Sequence, residues 1–334
     1  MNTNEIIEKL NSNEYDFLRN NEHLGKNIIY LTTGGSHSYG TNVETSDLDI
    51  RGIAIENKSE LLGFQHFEQF ENRETDTTIY GLHKVMQLML SCNPNVIEML
   101  GTKEEHVFTC NNFGKMIRDN VDIFLSKKAI HSFGGYATAQ LRRLQNALAR
   151  DSYPQPEKEK HILETMKTQM MTMPDRYKEL NPGDIELYID KSEKDDYETE
   201  IFMNINIKNY PLRDFKNIYT ELSETIRNYD KLNGRNRKKD DLHLNKHAMH
   251  LIRLLIEGTE ILEGKGINTY RENDRDLLLD IRHGKYTFEE IFQMVDDYEA
   301  KFKYAADNSS LPSKPDYYKA EELLMSIYDK YLIN

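Results

Sequence analysis

Apolar and polar positions change period along this chain, and the change divides it. Residues 4–21 place apolar side chains at helical spacing and predict an opening helix. KNIIYLTT (26–33) is a short β-branched and apolar run that ends at Gly34-Gly35, the pattern of a strand running into a tight turn. LDIRGIAIE (48–56) alternates and predicts a second strand, TDTTIYGL (75–82) a third, and NKSELLGFQHFEQFENRE between them predicts loop with a short helix. From His83 the period lengthens. HKVMQLML and NVIEML read as two helices, separated at Asn93-Pro94 because proline disfavours helical backbone in the residue before it.

Most of the remaining chain keeps the helical period, through AIHSFGGYATAQLRRLQNALAR, PEKEKHILETMKTQMM, YPLRDFKNIYTELSETIRNYDKL, LNKHAMHLIRLLIEGTEILEGKG and EEIFQMVDDYEAKF. One interruption, residues 184–209, alternates as a β-hairpin with an acidic connection. No internal repeat or low-complexity segment is visible. The fold class predicted is α+β: a small sheet domain over residues 1–105, then a mainly helical, substrate-binding domain over 106–334 that carries the hairpin.

Composition narrows the function classes. A chain of 334 residues exceeds the usual limit for one core, and 30% charged with 38% hydrophobic residues is a globular balance. No run of eighteen apolar residues occurs and the first residues are polar and acidic, so a membrane-spanning or secreted protein is not expected. Cys92 and Cys110 make neither a disulfide framework nor a zinc site and fit a reducing cytoplasm. The net charge of −13 argues against coating nucleic acid through bulk charge and leaves room for a local basic groove.

The chemistry gathers in TTGGSHSYGTNVETSDLDIRG, residues 32–52. Positions two apart on a strand share a face, so Asp47 and Asp49 project together with Cα atoms roughly 6.5 Å apart. Paired hard oxygen donors suit Mg²⁺, which keeps waters and shares its site with substrate phosphates. Gly35 and Ser36 supply a cradle for those phosphates: glycine allows close backbone approach, and amide and hydroxyl groups bond phosphate oxygens. A two-metal site asks for a third carboxylate. Asp76, 27 positions after Asp49 at the head of a strand, is the candidate, with Glu74 a same-face rival and Glu98 a more distant one.

Gly35-Ser36 followed eleven positions later by Asp47-Leu48-Asp49 resembles the signature of the DNA polymerase beta nucleotidyltransferase superfamily. The longer strings GSHSYG, SDLDIRG and TTIYGLHKVMQLMLSCNPNVIEML resemble its bacterial and phage branch of RNA-repair-pathway nucleotidyltransferases, with further similarity in FGGYATAQLRRL, KHAMHLIRLLIEGTEIL and LLLDIRHGK. The resemblance implies a polymerase beta-like mixed sheet with a helical partner domain. It also implies metal-dependent use of a nucleoside triphosphate and a nucleic-acid end as acceptor.

Other polar residues have two readings each. His37, Ser38 and Tyr39 could touch base or ribose, although a histidine beside a turn is more often structural. Arg51 should orient a carboxylate by bidentate bonding. Lys84 and Lys246 are candidate triphosphate contacts, with a solvated lysine the alternative. His243, His247 and His250 have metal-ligand spacing on a helix but no obvious cysteine or carboxylate partner. Lys246, His250 and Arg253 form an equally good phosphate-holding stripe on the same helix. The basic run GRNRKK (234–239), with Lys127-Lys128 and Arg142-Arg143, reads as a solvated loop or, if it borders the cleft, a track for a nucleic-acid backbone.

Taken together these readings predict a template-independent nucleotidyltransferase. Catalytic and metal-holding residues are Asp47, Asp49 and Asp76 with Mg²⁺ or Mn²⁺, and triphosphate-binding residues are Gly35, Ser36, Lys246 and Arg253. The triphosphate favoured is ATP, although base choice rests on pocket contacts that spacing does not locate. The acceptor expected is an RNA end. The rivals are a protein-adenylylating enzyme, a small-molecule or second-messenger nucleotidyltransferase, and a nucleic-acid-binding relic. Oligomeric state is open.

Overall fold

The computed structural model describes residues 1–151, 159–160, 162–164, 166–167, 177, 180, 184–193, 199–235 and 241–333. Its first 141 residues and residues 245–334 make one compact unit, and residues 142–244 make a second. This division differs from a boundary at residue 105, because the chain returns to the first unit after residue 244 and adds three further helices there.

The first unit is built on a five-stranded mixed sheet in the order β3-β4-β2-β1-β5. Its interior strand β1 (Ile28–Thr33) is buried at every position, as its unbroken apolar and β-branched run requires. Antiparallel to it run β2 (Ile50–Ala54), with Tyr30 opposite Ile53, and β5 (Val107–Cys110). β2 pairs in parallel with β4 (Thr77–Gly81), Ile50 lying opposite Thr77, and β3 (Gln69–Asn72) closes the other edge antiparallel to β4. The two edge strands fall where no strand was predicted. Each is four residues long, and neither carries a fully buried position that would set up a strong alternation.

The predicted opening helix is broken into α1 (Thr3–Leu10), a single 3₁₀ turn and α2 (Phe17–Asn20). Asn2 and Glu5 form a capping box that starts α1, and Asn11 ends it. Ile6, Leu10, Tyr15 and Leu18 from this segment pack with Ile28, Leu31, Ile50 and Ile79 into one core. Next come α3 (Gly35–Tyr39) and α4 (Lys58–Leu62), then α5 (Leu82–Leu90) and α6 (Pro94–Leu100). The last two are parted where the proline predicted: Pro94 opens α6 and the Asn93 side chain caps it. α7 (Asn112–Arg118) follows β5, and α8 (Ala129–Asp151) carries the chain out of this unit.

In the second unit β6 (Ile185–Lys191) and β7 (Thr199–Ile205) form the predicted hairpin, whose connection lies outside the described residues. Leu187 on β6 packs with Ile162, Leu163 and Met166. α9 (Leu212–Arg235) buries Ile218 and Leu222 against Leu180. Much of the predicted helix 156–171 and the basic run from residue 236 onward also fall outside the described residues. α10 (Asp241–Leu262) leads back into the first unit, where α11 (Arg275–Arg282), α12 (Phe288–Asn308) and α13 (Tyr317–Ile333) complete it. No helix among the described residues is long and apolar enough to cross a membrane.

Candidate active site

Strand β1 delivers the chain to Gly34, whose amide donates to the Asp49 carbonyl at 2.9 Å and ties the turn to the aspartate pair. Gly35 follows with φ +56°, a left-handed backbone that glycine adopts freely. A Cβ on Gly35 would lie 2.0 Å from Asp49 Oδ2, so the close approach of turn and carboxylate depends on glycine here. α3 is held by Ser38 Oγ donating to Gly35 O at 2.8 Å, and it ends at Gly40, where φ is +75°.

A cavity of about 310 Å³ opens beside this turn. Its walls include Gly35, Ser36, Asp47, Asp49 and Asp76, with Lys246, His250 and Arg282 from the C-terminal part of the chain. Asp47 and Asp49 lie just before β2, which starts at Ile50 and not at Leu48. Asp76 stands just before β4. Because β2 and β4 run parallel with Ile50 opposite Thr77, the residues that precede both strands meet at one sheet end. Ile50 N donates to Asp76 O at 3.2 Å, and Asp76 itself takes a positive φ of 45°, unusual for a residue with a side chain.

Arg51 makes one bond to Asp49, Nη2 to Oδ1 at 3.2 Å, in place of the bidentate pair predicted. Its other arm is used on backbone, donating from Nη1 to the carbonyls of Ile50 and Asp76. Burial raises the Asp49 carboxyl above the usual carboxylate value; Arg51 and Lys246 oppose the shift while Asp76 and Asp47 add to it. Among the described residues no three His, Cys, Asp or Glu side chains already converge as a metal-ligand cluster. The donor chemistry nevertheless fits a hard divalent cation. Three aspartates line one cavity, and the half-buried Asp49 carries a charge that a bound cation would stabilise.

A profile of the RNA repair pathway DNA polymerase beta family matches residues 6–173, half of the chain. The chain belongs to this family. No curated protein and no solved structure matches it. Members of the polymerase beta family are nucleotidyltransferases, and the mixed sheet with its flanking helices is the corresponding fold. The family span contains Gly35, Ser36, Asp47, Asp49 and Asp76 and ends before Lys246, His250 and Arg282.

The remaining predicted residues of this polymerase beta family chain separate. Glu74 is exposed and outside the cavity wall, its amide bonded to Asn72 Oδ1 at 3.0 Å. Glu98 lines the cavity, but its carboxylate accepts from Tyr39 Oη at 2.5 Å and Arg253 Nη1 at 2.8 Å. Arg253 does not reach the wall. It is buried, paired also with Glu257 at 2.7 Å and stacked 3.7 Å over the Tyr39 ring. Lys84 is paired with Glu68 at 3.1 Å, away from the cavity. His37 is buried with Nε2 unpartnered, and burial lowers its pKa. His247 bonds Gln140 Oε1 at 2.9 Å and burial takes His250 well below the usual histidine range; among the described residues these histidines form no cluster of metal ligands.

Arg282 is the charged wall residue that sequence reasoning missed. It sits in LLLDIRHGK as one basic residue in the last turn of a helix, a position without periodic or spacing signal. Its Nη1 donates to Thr41 O at 2.8 Å and its Nη2 to Ser46 Oγ at 3.0 Å. Arg275 donates to Gly40 O at 2.7 Å and Arg271 N to Tyr39 O at 3.0 Å, so residues 271–282 pin the loop between the glycine-serine turn and the aspartates.

Proposed function

We propose that this chain transfers a nucleoside monophosphate from a nucleoside triphosphate, with ATP favoured, to a hydroxyl on an RNA end without a template. The observation that carries this reading is that one cavity gathers a glycine-serine turn, three aspartates and cationic side chains in a member of an RNA repair family. Asp47, Asp49 and Asp76 hold Mg²⁺, or Mn²⁺ in its place, and the bound ion supplies charge neutralisation for the phosphates and the attacking hydroxyl. Gly35 lets the phosphate chain come close to the backbone, and the Ser36 hydroxyl and first-turn amides, which have no intrahelical acceptor, bond its oxygens. Lys246 provides countercharge. Arg51 keeps Asp49 and the Asp76 carbonyl in fixed relation. Tyr39, held by Glu98 and Arg253, stiffens the wall. The hydroxyl attacks the α-phosphorus and pyrophosphate leaves; the protein's contribution is positioning and charge stabilisation.

The test incubates purified protein with Mg²⁺, each α-labelled triphosphate and a pool of tRNA and short RNA, beside an Asp47→Ala, Asp49→Ala control. Label on RNA that disappears in the control is the result expected. Label on protein would assign adenylylation instead, and label only on small molecules a small-molecule transferase. No label, with no triphosphate bound, would refute the enzyme reading.

A further inference from the structure

We infer that Arg282 binds the phosphates beyond the α-phosphate and so makes the site prefer triphosphates to shorter phosphate chains. The inference rests on the nucleotidyl-transfer reading of the same cavity. Arginines buried elsewhere in this unit are neutralised by acids: Arg253 by Glu98 and Glu257, Arg271 by Glu260 and Asp274. Arg51, the other arginine on the cavity wall, is paired with Asp49. Arg282 has no carboxylate within ion-pair distance among the described residues, and both of its bonds go to neutral oxygens, Thr41 O and Ser46 Oγ.

That arrangement leaves a half-buried cation on the cavity wall without a counterion among the described residues. Burial pulls the guanidinium below the usual arginine value, and no neighbouring acid offsets the effect. A guanidinium has five N–H groups, so about three stay available once two are used on the loop. The loop bonds also fix its fork, and a fixed planar fork suits phosphate oxygens better than a mobile ammonium does. Chemistry selects the phosphates. The carboxylates and the cation they would hold take the reacting α-phosphate, whereas Arg282 lines the same cavity with no acid of its own, anchored to Thr41 and to Ser46. It therefore meets the phosphates beyond the α position and leaves the α-phosphate to the aspartates. Lys246 lines the same cavity on a flexible stem and adds charge without direction.

The experiment measures binding by equilibrium dialysis in Mg²⁺ for the wild-type chain, Arg282→Gln and Arg282→Lys, with ATP, AMP and inorganic triphosphate as probes. Arg282→Gln is expected to bind ATP and inorganic triphosphate about tenfold to a hundredfold more weakly while AMP affinity stays within about twofold. Arg282→Lys, which keeps the charge and loses the fork, is expected to fall between them; it also serves as the test variant if Arg282→Gln does not fold, as judged by its thermal melt. A parallel loss for ATP and AMP would assign Arg282 to loop structure alone. Unchanged ATP affinity in a folded Arg282→Gln would overturn the inference, and if the wild type still labels RNA the transfer reading survives it. A wild type that binds inorganic triphosphate with the predicted Arg282 dependence but transfers no nucleotide would sink the transfer reading and keep the inference. Wild-type protein that binds no triphosphate would overturn both.

Discussion

Replacing Gly35 by alanine strikes the tightest contact in the cavity. The added methyl would stand 2.0 Å from Asp49 Oδ2 and 2.8 Å from its carboxyl carbon. Non-bonded carbon contacts relax at about 3.5 Å, so the carboxylate must withdraw by roughly 1.5 Å. Its 3.2 Å bond to Arg51 does not survive such a movement. The left-handed backbone at φ +56° adds a cost of about 1–2 kcal/mol for a residue with a Cβ. Overpacking of this kind costs about 1–3 kcal/mol more. Urea unfolding of wild type, Gly35→Ala, Asp49→Ala and the double variant separates these contributions. With the Asp49 carboxylate gone only the backbone cost remains, so the cycle should show a coupling of about 1–3 kcal/mol. Transfer of label to acceptor should fall at least about a hundredfold in Gly35→Ala, because a displacement of this size spoils the alignment of reacting groups. An equal stability penalty in both backgrounds, or a fully active Gly35→Ala, would refute the geometric argument.

Other perturbations probe the surroundings. Arg253→Met strands Glu98 and Glu257 without their cation and is expected to cost about 3–5 kcal/mol in urea unfolding while triphosphate affinity in the folded protein stays near wild type; weaker affinity with an unshifted unfolding midpoint would make Arg253 a ligand residue after all. Burial lowers the pKa of His37, His106 and His250 in the folded chain, so the unfolded chain takes up protons first as pH falls below about 6.5, and stability is lost through that window. His250→Asn should flatten the curve of unfolding free energy between pH 7.5 and 5.5 by up to about 1.4 kcal/mol per pH unit, and an unaltered slope would mean that His250 is not held neutral. Exhaustive chelation should abolish labelling and added Mg²⁺ restore it, whereas labelling that persists without divalent ions would discard the carboxylate reading.

How much could be read in advance depended on whether the determining contacts were local. Gly35, Ser36, Asp47 and Asp49 lie within a single turn and its return strand, and the pattern carries them directly. Asp76 was reachable because its strand is well patterned, and parallel pairing then brings the start of β4 beside the start of β2. Strands β3 and β5 were not reachable: short edges without a buried position leave no alternation to detect. On α10 the face was legible and its extent was not. Lys246, His250 and Arg253 share a stripe, yet Arg253 lies about 10 Å further along the helix axis than Lys246, beyond the end of the cavity. Arg282 meets the loop at Thr41 from 241 positions away, and its meaning lies entirely in that distant contact.

The order in which the cavity acquires its walls has a consequence during synthesis. The turn and all three aspartates have left the ribosome long before Lys246, and Arg282 follows Asp76 by 206 residues. At ordinary translation rates that separation lasts about 10–40 s. Through this interval the growing chain carries the aspartates and Arg51 without Lys246 and Arg282. On the proposed function, triphosphate binding therefore begins only once residues 271–282 have joined the loop, and a chain terminated before them is expected to bind triphosphate more weakly than the full chain.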